Sequence, residues 1–87
     1  MTEQISDIQK HTALRLVQLQ VRKSLGLPGL PDPSQTPAYL GMDSLGFIEL
    51  VMDLEVSAHK DFNLGDMSPN EHNTIQEIAD YVAQETM

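Results

Sequence analysis

Four prolines, Pro28, Pro31, Pro33 and Pro37, fall between residues 26 and 43 of an 87-residue chain. Proline fixes φ and lacks a backbone N–H, so neither a helix interior nor a central strand accommodates this density. The stretch from Gly26 to Asp43 is therefore a linker, and it cuts the chain in two. A structureless loop of this length is uncommon in a compact domain and usually has a purpose. Leu27, Leu30, Tyr39 and Leu40 are its candidates for pinning it to a core.

The flanking segments read as helices. Over residues 3–25, Ile5, Ile8, Thr12, Leu16, Leu19 and Lys23 follow helical spacing, with Leu14 and Val17 beside that stripe. Gly26 and Pro28 stop the helix. A second helix is predicted from Ser44 to His59, with Asp43 as its N-cap. Its stripe is Phe47, Leu50, Val51, Leu54 and Ala58, widened by Leu45, Ile48 and Met52. Ser68-Pro69-Asn70-Glu71 is a start signal for a short third helix of about one turn. Thr74-Ile75-Gln76-Glu77 is a capping box that opens the last helix, whose buried face is Ile75, Ile78, Ala79 and Val82. No strand pattern and no internal repeat appears. The expectation is an all-α four-helix bundle, with three longer helices, one short helix and a long first loop. Residues 1–87 form a single domain, since a second core is not available at this size.

Thirteen Asp and Glu against five Lys and Arg give a net charge of −8. Phosphate backbones are bound through basic clusters, so nucleic acid is not an expected partner; a basic protein surface is. The acidity is uneven. Residues 1–42 carry Glu3, Asp7 and Asp32 against Lys10, Arg15, Arg22 and Lys23, while residues 43–87 carry ten acids against Lys60. The absence of cysteine excludes disulfides, thiolate nucleophiles and Cys-ligated zinc. No run approaches the roughly 20 apolar residues that cross a bilayer. The opening residues show neither the basic nor the apolar segment of a secretory signal. A cytoplasmic protein with no membrane partner is expected.

Gly41-Met42-Asp43-Ser44-Leu45 is the most informative stretch. It resembles the attachment motif of acyl carrier proteins, in which glycine and a variable residue precede Asp-Ser-Leu. The likeness continues through Glu49-Leu50-Val51-Met52-Asp53-Leu54-Glu55, and again at Thr74-Ile75 and Ile78-Ala79-Asp80-Tyr81-Val82. It covers most of the chain from Leu40 onward, and more loosely the first helix. The resemblance implies an acyl-carrier-like bundle that is not an enzyme. It implies a 4′-phosphopantetheine arm, derived from coenzyme A and attached covalently to Ser44. The cargo would be an acyl thioester in fatty acid, polyketide or related biosynthesis. The implied partners are a phosphopantetheinyl transferase, acyl-activating or acyltransferase enzymes, and a ketosynthase or other synthase components.

The residues themselves fit this reading. A serine in the first helical turn lies near free N–H groups and the positive end of the dipole, which favour a phosphodiester. No histidine is placed by local sequence as its base. His59 lies about 22 Å away along the helix, so a hydrolytic triad is a poor hypothesis. The transferase would supply base and Mg²⁺. The histidines lack ligand spacing, and no metal site is expected.

The second helix is the expected docking surface. Asp43, Glu49, Asp53 and Glu55 present charge, and Met42, Leu45 and Met52 are candidate exposed anchors, although Leu45 and Met52 also suit a core. Glu49 and Asp53, four apart, repel by a few tenths of a kcal/mol, a cost that a basic partner converts to attraction.

Three departures from the family pattern stand out. Thr36 replaces the usual aromatic eight residues before the serine. Ala58 replaces a phenylalanine near the end of the second helix, where Phe62 is the candidate substitute. The segment between the second and fourth helices is about two residues longer than usual. A peptidyl or aminoacyl carrier is one alternative, and an unmodified acidic protein-interaction module is another. A discrete, monomeric protein is expected.

Overall fold

The computed structural model describes residues 7–58 and 70–85, with the side chains of residues 10–57 and 70–84. Three α-helices follow in order: α1 (Asp7–Leu25), α2 (Ser44–Ala58) and α3 (Ile75–Glu85). The all-α class and the three longer helices are as the sequence predicts. The predicted short helix lies partly outside the described residues. Within them, Asn70–Asn73 forms a turn in which the Asn73 N–H donates to the Asn70 carbonyl at 3.0 Å. The His72 N–H donates to Asn70 Oδ1 at 2.8 Å.

The helix α1 ends where predicted. Gly26 takes φ 67°, and the Leu27 N–H donates to the Arg22 carbonyl at 3.0 Å. This is the six-to-one bond of a Schellman cap, which needs a left-handed residue at Gly26. Both other helices pack on α1.

The seam of α1 is not the predicted one. Ala13, Val17 and Val21 are buried, together with Gln18, whereas Thr12, Leu19 and Lys23 are exposed and Leu14 and Leu16 are half-buried. The stripe is rotated because small and β-branched side chains occupy the line of closest approach. The leucines flank it. Opposite, α3 offers Ile75, Ile78, Ala79, Val82 and Ala83, and α2 offers Phe47, Leu50, Val51 and Leu54. Those two faces match the predicted periodicity. Buried Gln18 is satisfied by donating from Nε2 to the Pro31 carbonyl at 2.9 Å, which fastens the linker to α1.

The linker is built from bonded turns. Leu27 and Leu40 pack against the core as expected, but Leu30 and Tyr39 face solvent. Pro31, Pro37 and Met42 are buried in their place. Prolines serve well here, since burying them strands no N–H donor. Thr36 caps a single turn: its Oγ1 accepts the Tyr39 N–H at 3.0 Å. The turn closes with the Met42 N–H on the Pro37 carbonyl at 2.9 Å, across Gly41 at φ 109°. Thr36 thus has its own use in place of the family aromatic. Phe62, the candidate substitute for the missing phenylalanine at Ala58, lies outside the described residues.

Candidate functional site

The start of α2 is set by Asp43. Its Oδ1 accepts the Gly46 N–H at 2.7 Å, and its carbonyl accepts the Phe47 N–H at 2.9 Å. This is a regular N-cap, with the side chain bonded to the third helical residue. A Cβ at Gly46 would stand 3.1 Å from Met42 Cγ and 3.2 Å from Asp43 Oδ1, so the glycine admits both neighbours. Met42 is 5 % exposed. The expectation that it stands in solvent as a docking anchor is corrected: Gly41 turns the backbone and sends Met42 into the core.

Ser44 is the first residue of α2 and is exposed. Its hydroxyl meets no hydrogen-bond partner among the described residues, and neither do the N–H groups of Ser44 and Leu45. The start of α3 is different. There the Ile75 N–H donates to the Gln35 carbonyl and the Gln76 N–H to the Pro33 carbonyl, each at 2.9 Å. The Glu77 N–H donates to Thr74 Oγ1 at 3.0 Å. One helix start is closed by the linker; the other presents two open donors beside a free hydroxyl. Those donors and the helix dipole suit an oxyanion.

The other described serines lack this setting. The Ser34 hydroxyl donates to Asp32 Oδ1 at 2.8 Å, and Ser57 Oγ accepts from Gln20 Nε2 at 3.4 Å. Ser24 sits in the last turn of α1, where the dipole disfavours an anion. Among the described residues, no base is hydrogen-bonded to Ser44. Among the described residues, no cluster of His, Asp and Glu is arranged to hold a metal ion.

The outer face of α2 carries Leu45 at 65 %, Ile48 at 47 %, Met52 at 55 % and Val56 at 74 % exposure. At steps of three and four, these four share one side of the helix, opposite the buried stripe. Glu49 and Asp53 are exposed beside them, while Glu55 is half-buried and makes an interaction of its own. Leu45 and Met52 therefore stand outside the core. Ile48 belongs with them, and Val56 was not singled out in the sequence. The available signal was that α2 carries apolar residues on two opposite faces, where a helix on the surface of a small bundle needs only one. A shallow groove at the end of α1, lined by Leu19, Gln20, Arg22, Lys23, Gly26 and Leu27, includes none of these residues.

Residues 15–82 match the family model described as phosphopantetheine attachment site. No curated protein and no solved structure matches the chain.

Proposed function

Since the chain belongs to the phosphopantetheine attachment site family, whose members are non-catalytic acyl carriers bearing a phosphopantetheine arm, we propose that Ser44 is the residue that bears the arm here. The observation that carries this reading is the exposed Ser44 hydroxyl, which, like the N–H groups of Ser44 and Leu45, has no hydrogen-bond partner among the described residues. In the attachment step, Ser44 Oγ bonds to the phosphorus of coenzyme A that carries the pantetheine. The bond from that phosphorus to the bridging oxygen breaks, and adenosine 3′,5′-bisphosphate leaves. A transferase supplies the base that takes the serine proton, and Mg²⁺ for the diphosphate. The resulting phosphodiester carries one negative charge, which the Ser44 and Leu45 N–H groups are free to receive.

The terminal thiol of the arm then holds the acyl cargo as a thioester. This accounts for thioester chemistry on a chain without cysteine. The outer face of α2 is the docking surface, with Leu45, Ile48, Met52 and Val56 as apolar contacts and Asp43, Glu49 and Asp53 as charges for a basic partner. Glu55 contributes less, being half-buried and engaged. The same reading makes residues 1–87 one monomeric domain, with a short helix of about one turn opened by Ser68-Pro69-Asn70-Glu71. It works in the cytoplasm with synthase enzymes. No helix of the described residues is long and apolar enough to cross a membrane.

Intact-protein mass spectrometry tests this function. With coenzyme A, Mg²⁺ and a broad-specificity transferase, the mass rises by one arm. An acyl-activating enzyme then adds an increment that hydroxylamine removes. Loading with amino acids alone would identify a peptidyl carrier instead. No arm, under conditions that modify a control carrier, would leave an unmodified interaction module.

A further inference from the structure

Tyr39 is 77 % exposed, the highest exposure among the large hydrophobic side chains of the described residues. The other described aromatics are turned inward: Phe47 is buried, and Tyr81 packs against the core. The linker holds a single aromatic and directs it to solvent. Its backbone is nevertheless fixed. The Tyr39 N–H is bonded to Thr36 Oγ1 at 3.0 Å, the Gly41 N–H to the Ala38 carbonyl at 3.1 Å, and the Ala38 N–H to the Glu71 carbonyl at 3.0 Å. Beneath the turn, Pro37 is fully buried. An aromatic on a floppy loop would lose much of its contact energy to ordering; one on a bonded platform has few rotors left to freeze.

Position adds a second observation. Tyr39 lies five residues before Ser44, which limits their separation to about 18 Å even for an extended chain. Here the intervening chain is folded into a turn. Leu45 stands exposed on the other side of Ser44 in sequence. Along the chain, the candidate hydroxyl therefore has a large exposed apolar group on each side within five residues.

We propose that Tyr39 is a docking anchor for the enzyme that attaches the arm, a phosphopantetheinyl transferase with an apolar slot beside a basic rim. This rests on the reading of Ser44 as the attachment site. The assignment to the transferase follows from reach. That enzyme must bring its active site to Ser44 Oγ itself, so it covers the ground immediately around the hydroxyl. Enzymes acting on the cargo meet the far end of the arm. Rigid aromatics at the centre of an interface are where truncation costs the most affinity.

The test is steady-state transfer from coenzyme A by a broad-specificity transferase, with wild type, Tyr39→Ala, Tyr39→Gln and Tyr39→Phe as substrates. The site of labelling is mapped in each, and Tm is measured in parallel. The expected result is a KM raised about tenfold in the Ala and Gln variants, the scale of a contact worth about 1.4 kcal/mol. The kcat and Tm stay at wild-type values, and Phe restores KM. If Tyr39→Ala melts lower, Tyr39→Gln decides. Unchanged KM in both, or a loss confined to kcat, overturns the anchor while labelling at Ser44 leaves the attachment reading intact. Failure to label wild-type protein at Ser44 overturns both.

Discussion

Asp43 and Ser44 divide the start of one helix between them. The Asp43 carboxylate takes the Gly46 N–H at 2.7 Å, and the donors of Ser44 and Leu45 meet no acceptor among the described residues. Replacing a capping aspartate with alanine typically costs about 1 kcal/mol. Asp43→Ala is expected to lower stability by that amount in denaturant melts, with Asn recovering most of it. Equal stability of the Ala variant would show that the cap is not needed. Both residues were legible because an acidic cap and a serine precede an apolar run. Met42 was not. Its burial depends on the Gly41 backbone at φ 109° and on the absence of a side chain at Gly46, neither of which hydrophobic spacing records. Met42→Ala is expected to cost about 3 kcal/mol, as a buried methionine does, where a solvent anchor would cost less than about 0.5 kcal/mol.

Among the elements, α3 was read most fully. The capping box seen in Thr74-Ile75-Gln76-Glu77 forms as drawn, with the Thr74 N–H on Glu77 Oε1 at 2.8 Å and the Glu77 N–H on Thr74 Oγ1 at 3.0 Å. The Thr74 N–H, then the Asn73 side-chain amide at 3.1 Å, hold the Glu77 carboxyl below the usual glutamate range. A depressed carboxyl stabilises the fold at neutral pH, and that contribution is lost as pH falls through the lowered folded-state value. Replacing Glu77 with Gln is therefore expected to flatten the acid limb of a Tm–pH curve below the ordinary glutamate range and to change little at pH values far below it. An acid limb identical to wild type would contradict the capping role. The seam of α1 was less legible. Spacing alone favoured its long leucines, but the seam goes to Ala13, Val17 and Val21, because which side chains fit between helices is decided by the partners.

At the scale of the whole molecule, charge is separated by element. The cations Lys10, Arg15, Arg22 and Lys23 lie exposed on α1 and make no ion pair among the described residues. Asp43, Glu49 and Asp53 lie on or beside α2. Such a separation turns the α2 end toward a basic enzyme before contact, an effect that salt screens beyond about 8–10 Å. Association with the transferase is expected to slow severalfold between low and physiological ionic strength, and Glu49→Gln/Asp53→Gln to reduce that dependence. A rate indifferent to salt would remove steering from the account. The architecture was legible because caps and prolines punctuate the chain, whereas the outward Tyr39 was not, since only the folded turn shows which way it faces. All of this turns on a single oxygen among six serines. Peptide mapping by tandem mass spectrometry, after modification with coenzyme A, locates the arm directly. The account predicts one arm on Ser44, none on the other serines, and none in Ser44→Ala; an arm on a different serine, or a Ser44→Ala protein modified as fully as wild type, would contradict it.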